Sequence, residues 1–297
     1  IIMAFLMISM MSIMLPRANV SAKRVIEVLE TKNTIIDPKN PIEFKKNGTN
    51  KIEFKNVSFR YPDADYDVMT DINFTAESGQ TTAFIGSTGS GKSTLINLIP
   101  RFYDITSGEI LIDGTNIQDV SVKSLRDKIG FVPQKGVLFT GTISENIKYG
   151  NNNITDEMVK KALNISQSTE FVSKLKGKEN YQISQGGTNV SGGQKQRLSI
   201  ARAIAKNPDI YIFDDSFSAL DFKTDAKLRK ELAKITKNKT VLIVAQRIST
   251  IMNADKIVVL NEGNIVGIGT HKELLQNCKI YKEIAQSQLS KEELENA

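Results

Sequence analysis

The stretch TTAFIGSTGSGKSTLINLI, residues 81–99, decides the fold of the domain that holds it. It opens on an apolar run, passes through Gly86, Gly89 and Gly91, and resumes as a helical pattern over 92–102. Strand, glycine-rich loop and helix in that order, with Lys92 and Ser93 at the turn, fit the phosphate-loop spacing G-x-x-x-x-G-K-[ST]. Glycines let the backbone curl so that its N–H groups face phosphate oxygens, and the following helix adds its positive end. The candidate nucleotide contacts are therefore Gly86, Ser87, Thr88, Gly89, Ser90, Gly91, Lys92, Ser93 and Thr94. Among these, Lys92 supplies a charge for the terminal phosphates and the Ser93 hydroxyl a ligand for Mg²⁺.

Working outward, such a loop needs a carboxylate at the end of a second buried strand. DIYIFDD, residues 209–215, supplies it: Asp214 is the expected Mg²⁺ partner, through water, and Asp215 follows at once. Earlier, KIEFKNVSFRY (51–61) alternates as a strand, and DINFTA (71–76) reads as another. From 81 onward strands and helices alternate, which predicts an α/β fold with a mainly parallel central sheet and an antiparallel β region before it. Residues 137–190 are mostly helical in pattern, with DEMVKKALN and EFVSKLK, and are expected to form a subdomain.

With 297 residues, 40% of them hydrophobic, the chain can bury a sizeable core. Its one cysteine, Cys278, excludes an internal disulfide and fits a reducing compartment. The net charge of +6 comes mostly from lysines scattered among Glu and Asp. With no dense basic block, it reads as a solvated surface and not as a nucleic-acid face.

IIMAFLMISMMSIML, residues 1–15, carries no charge. A helix needs about 20 apolar residues to cross a bilayer. The run is therefore expected to be the later part of a transmembrane helix in a truncated chain. A signal peptide and a buried soluble helix are the alternatives, the first lacking its usual basic opening. Arg17, Lys23 and Arg24 follow and place what comes after them in the cytoplasm. Helical spacing continues to residue 30. Pro38, Pro41 and Gly48 mark 31–50 as a linker, the domain runs over 51–290, and 291–297 is a tail.

NVSGGQKQRLSIARAI, residues 189–204, narrows the reading. Ser191 can cap a helix whose first amides are left open by Gly192 and Gly193. The phosphate loop already has its own helix, so the natural target of this second anion-binding end is an ATP on a second subunit. Ser191, Gly192, Gly193 and Gln194, between the loop and the aspartate strand, resemble the signature of ATP-binding cassette (ABC) ATPases. The resemblance covers about 51–290. It implies that Tyr61 stacks on adenine, that Gln134 senses the metal and γ-phosphate, that 218–221 forms a dimer contact and that 242–250 is the switch strand. It also implies ATP and Mg²⁺ as ligands and head-to-tail pairing with a second cassette. The junction PRANVSAKRVIEVLE, residues 16–30, resembles the exit of an exporter half-transporter from its last membrane helix. That implies a place in the cell membrane of a bacterium, with transmembrane domains of its own and of the partner, and a transported substrate.

Two positions depart from the family pattern. Asp215 stands where a glutamate is usual, and Gln246 where a histidine is usual; the single histidine, His271, lies far downstream and reads as a surface or cap residue. Gln185, before the signature, replaces a commonly acidic residue more mildly. An aspartate reaches roughly 1.5 Å less far than a glutamate, and an amide cannot take up a charge. The catalytic candidates Asp215, Gln246 and Gln134 therefore suggest a slow site, like that of the degenerate subunit in heterodimeric exporters. A regulatory nucleotide clamp with negligible turnover and a homodimeric exporter are the alternatives.

Overall fold

The computed structural model describes residues 1–45, 48–290, 292 and 294. Most of the 291–297 tail thus lies outside the described residues. The strands are β1 (Ile52–Phe59), β2 (Met69–Ala76), β3 (Thr81–Gly86), β4 (Ser107–Ile112), β5 (Thr115–Asn116), β6 (Ile129–Val132), β7 (Gly141–Thr142), β8 (Gln182–Ile183), β9 (Ile210–Asp214), β10 (Thr240–Val244), β11 (Lys256–Asn261) and β12 (Asn264–Gly269). The helices are α1 (Ile2–Leu29), α2 (Lys92–Leu98), α3 (Val122–Asp127), α4 (Ile143–Lys148), α5 (Asp156–Ile165), α6 (Thr169–Lys174), α7 (Gly192–Lys206), α8 (Phe222–Ile235), α9 (Ile248–Ile251), α10 (His271–Asn277) and α11 (Lys279–Gln288).

The central sheet has the order β12-β11-β3-β10-β9-β6, parallel except for β12 at its edge. The inner strands β9, β10 and β11 read as nearly unbroken apolar runs because both faces are covered. Ala83 and Ile85 of β3, Tyr211 and Phe213 of β9, and Val241 and Ile243 of β10 face one core, shared with α7 and α8. Phe84, Ile210, Ile212, Leu242 and Val244 face the other, shared with α2 and the antiparallel sheet β2-β1-β4-β5. Phe84 is fully buried and sits edge-on to Phe74 at 5.3 Å. Helices α4, α5 and α6 with the short β7-β8 pair occupy the 137–190 segment.

α7 shows why the signature stretch folds as it does. Ser191 Oγ accepts the Gln194 N–H at 3.3 Å and Gln194 Oε1 accepts the Ser191 N–H at 2.9 Å, a reciprocal capping box. Its inner face buries Leu198, Ile200, Ala201 and Ile204. Asn207, left-handed at φ 49°, ends it ahead of Pro208.

The chain divides into two compact units, Ile1–Ile36 and the rest. In the first, α1 is one continuous 28-residue helix, with Pro16 inside it and no buried residue. It is about 42 Å long and long and apolar enough to cross a membrane. In the second, part of the stretch read as linker is tied down. Asp37 accepts the Val122 N–H at 2.7 Å, Ile42 N–H donates to the Asp119 carbonyl, and buried Asn50 accepts from Thr240 Oγ1 at its carbonyl.

One expectation is corrected. His271 is neither a surface residue nor a cap: it is 5% exposed, Thr270 caps α10, and His271 Nδ1 lies 2.6 Å from the Tyr281 hydroxyl. The α10–α11 pair covers the ring, and burial lowers its proton affinity.

Candidate functional site

β3 delivers the phosphate loop at the carboxyl end of the central sheet, beside the ends of β9 and β10. Gly86 is required because a Cβ there would collide with the Leu260 carbonyl of β11. Gly91 is required because the chain enters α2 left-handed, at φ 95°. Ser87, Thr88 and Gly89 are exposed at the crown, while Ser90 is buried beneath it. Lys92 Nζ arches back over the loop to the carbonyls of Gly86 (3.0 Å) and Ser87 (2.7 Å), with Ser90 Oγ at 3.3 Å. Burial lowers the Lys92 pKa, opposed by the charges of Asp215 and Asp214.

Ser93 Oγ donates to Asp214 Oδ1 at 2.9 Å. Burial raises the Asp214 pKa and the Asp215 charge adds to this, while the Ser93 hydrogen bond and Lys92 pull the other way. The pair offers a hydroxyl and a carboxylate oxygen side by side. Such an oxygen-only donor set next to a phosphate cradle fits Mg²⁺, which is bound through one or two protein oxygens plus phosphate and water.

Asp215 has a different setting. Its N–H still bonds the Val244 carbonyl at 2.9 Å, so the ladder with β10 persists for one residue. Its φ of 44° then throws the chain out of the sheet. Aspartate tolerates the left-handed region better than most side chains. Ser218 Oγ holds the Asp215 carbonyl at 2.8 Å. The carboxylate receives two amides on the same oxygen: Gln246 Nε2 at 2.7 Å and Gln134 Nε2 at 3.3 Å. Residues 134, 215 and 246, far apart in sequence, thus meet at Asp215 Oδ2. Among the described residues the hydrogen bonds to this oxygen come from these two neutral amides, neither of which can relay a proton.

Tyr61 is half-buried. Its hydroxyl lies 3.0 Å from Thr94 Oγ1, which ties it to α2, and its ring packs edge-on against Phe59 and Tyr103. Tyr103, 37% exposed, is the aromatic that sequence reading missed. Its signal was the RFYD stretch after the loop helix.

Ser191 and Gly192 are exposed at the start of α7. Gly192 has open space where a side chain would be, and Gly193 backs onto the Ala219 carbonyl of the loop after β9. The side-chain hydrogen bonds of Ser191 and Gln194 are to each other's backbone N–H, not to the phosphate loop. The structure therefore brings Lys92, Ser93, Asp214, Asp215, Gln134 and Gln246 into one cluster, with Tyr61 alongside. Among the described residues no hydrogen bond joins the four signature residues to it.

Comparisons with known proteins bear on the family and the fold. The profile of the ABC transporter family matches residues 69–218, about half of the chain. An uncharacterized ABC transporter ATP-binding protein of Mycobacterium tuberculosis is 45% identical over 97% of this chain and 50% of its own length. A Staphylococcus aureus protein provisionally designated a multidrug export ATP-binding/permease protein is 47% identical over 82% of this chain and 42% of its own length. The solved structure of a bacterial Atm1-family ABC exporter with ATP bound superposes with a TM-score of 0.86 at 33% identity, over 93% of this chain and 48% of that one. The chain spans about half the length of the relatives it matches. On sequence, fold and the order of its motifs, it belongs to the ABC transporter family.

Proposed function

We propose that the chain is the ATP-binding and hydrolysing subunit of an ABC exporter, closing head to tail with a second cassette to drive outward transport, and that its own site hydrolyses slowly. The proposal places the helix α1 in a cell membrane, the bacterial inner membrane, and the cassette on its cytoplasmic side. The relatives named for export and for ATP binding support the class. The observation that carries the slow-site reading is the meeting of two carboxamides on Asp215 Oδ2.

In this reading Tyr61 and Tyr103 offer aromatic surface to the adenine. The residues Gly86 to Thr94 hold the phosphates by backbone amides and the Lys92 ammonium. Ser93 and Asp214, with Gln134 nearby, would hold Mg²⁺, which supplies charge neutralisation to the β- and γ-phosphates when bound. Water attacks the γ-phosphorus, the bond to the β-phosphate oxygen breaks, and ADP leaves. Asp215 is the group placed to receive the water's proton, with Gln246 and Gln134 orienting it. A general base in hydrogen-bond reach is worth about 10²–10⁴ in rate. A carboxylate one methylene short, tied down by two amides, forfeits part of that.

The exposed, capped start of α7 supports the other half of the proposal. Ser191 to Gln194 would complete the partner's site. A partner carrying glutamate and histidine at the corresponding positions would then do most of the hydrolysis, with a homodimer as the alternative. The test is ATP turnover by the full-length protein alone and with the chain that co-purifies with it. Low turnover alone that rises in the complex is expected; fast turnover by the protein alone sinks the slow-site reading.

A further inference from the structure

Gln246 lies just past the end of β10, where the chain leaves the sheet. Ala245 is still anchored, its N–H to the Phe84 carbonyl at 3.1 Å. Beyond Gln246 comes Arg247 and then α9, only four residues long. What pins this turn comes from 40 residues downstream. The Gln288 carboxamide donates through Nε2 to the Gln246 carbonyl at 2.8 Å and accepts the Ile248 N–H through Oε1 at 2.9 Å.

We infer that Gln288 is a positioning residue for hydrolysis, its carboxamide bracketing the backbone of residues 246–248 so that the Gln246 side chain lies on Asp215. A carboxamide suits this because a single planar group must both donate and accept. The helix carrying it is firmly docked. Tyr281 and Ala285 of α11 are fully buried, and Gln288 follows them at helical spacing on the same face. Tyr281 is fixed in turn by His271. A chain of contacts thus runs from the α10–α11 pair through Gln288 to the backbone of Gln246 and from its amide to Asp215 Oδ2. The inference rests on the role proposed above for Gln246.

The test uses the assembled full-length transporter and two readouts. Gln288→Leu keeps the size and removes both hydrogen bonds. Two lost bonds of ordinary strength correspond to about a tenfold fall in the rate of hydrolysis at this chain's site, with KM for ATP unchanged. The Ile248 amide should exchange faster with solvent while amides 281–287 keep their protection. Gln288→Glu keeps the acceptor for Ile248 and opposes the Gln246 carbonyl, so it should fall between. In a Gln246→Ala background, Gln288→Leu should cost nothing further. An unchanged rate in Gln288→Leu overturns the inference alone, provided Gln246→Ala slows hydrolysis. An equal loss in both backgrounds, or exchange rising along all of α11, also overturns it in favour of a general structural role. If Gln246→Ala itself leaves the rate unchanged, the role of Gln246 fails and the inference falls with it.

Discussion

Asp214 and Asp215 are neighbours in sequence and differ in almost everything else. Asp214 is the last residue of β9, in register opposite Val244, with its carboxylate on the Ser93 hydroxyl. Asp215 is the first residue out of the sheet, left-handed, with its carboxylate under two amides. The first belongs to a rigid strand end shared with the phosphate loop. The second depends on a turn and on groups from three separate segments. The difference separates two tasks. In the function proposed above, holding nucleotide rests on the strand ends, the loop and the two tyrosines beside it. In the same proposal splitting it rests on the turn, where Asp215 is one methylene shorter than the usual glutamate and Gln246 carries no charge.

The sharpest way to break this separation is to restore the usual pair. Asp215→Glu with Gln246→His should raise hydrolysis at this site on the order of 10²-fold, read as phosphate release, with ATP affinity unchanged. No gain would put the defect elsewhere. Next in size, Lys92→Ala removes the charge that faces the phosphates. A charge-assisted hydrogen bond of about 1.5–3 kcal/mol corresponds to a loss of ATP affinity of about tenfold or more, measurable by calorimetry. A smaller loss would mean that the backbone cradle alone holds the phosphates. Ser191→Ala removes the α7 cap, at a cost of about 1 kcal/mol, seen in thermal melts. It should lower turnover of the assembled dimer while leaving ATP affinity of this chain intact; loss of affinity here would contradict a signature that works in trans.

Smaller effects sharpen the picture of the supporting helices. Tyr281→Phe leaves His271 Nδ1 without its partner, an expected loss of about 1–3 kcal/mol in thermal or urea unfolding. His271 is buried with its pKa lowered by burial. The unfolded chain therefore binds the proton more readily, and stability falls as pH drops below the unfolded value of about 6.5. His271→Gln should flatten that part of the pH–stability curve; an unchanged slope would show that the ring protonates freely in the fold.

The sheet and the loop were legible because local chemistry dictates them. An apolar run leading through Gly86 into a glycine-rich loop and a helical pattern reads as a buried strand feeding a turn, and Ser191 ahead of Gly192 and Gly193 reads as a helix cap. The meeting of Gln134, Asp215 and Gln246 was legible only through the order of motifs, since no local pattern links positions 81 and 31 residues apart. His271 was misread because GTHKELL displays the cap formed by Thr270 and Glu273, while the partner that buries the ring, Tyr281, lies a helix further on. Gln288 carried no signal at all, being a polar residue near the end of an amphipathic helix. Its significance comes entirely from tertiary placement. The tie of Asp37 to α3 was hidden in the same way, inside a stretch whose prolines read as linker.

The measurement that bears most directly on the separation of holding from splitting is a single-turnover experiment with the full-length protein. The protein is loaded with γ-labelled ATP, freed of excess nucleotide, and quenched over minutes. The expected result is nucleotide that stays bound and is recovered mainly as ATP, with conversion to ADP accelerated in the Asp215→Glu, Gln246→His variant. Recovery mainly as ADP at the earliest times, at the same rate in both proteins, would contradict the account.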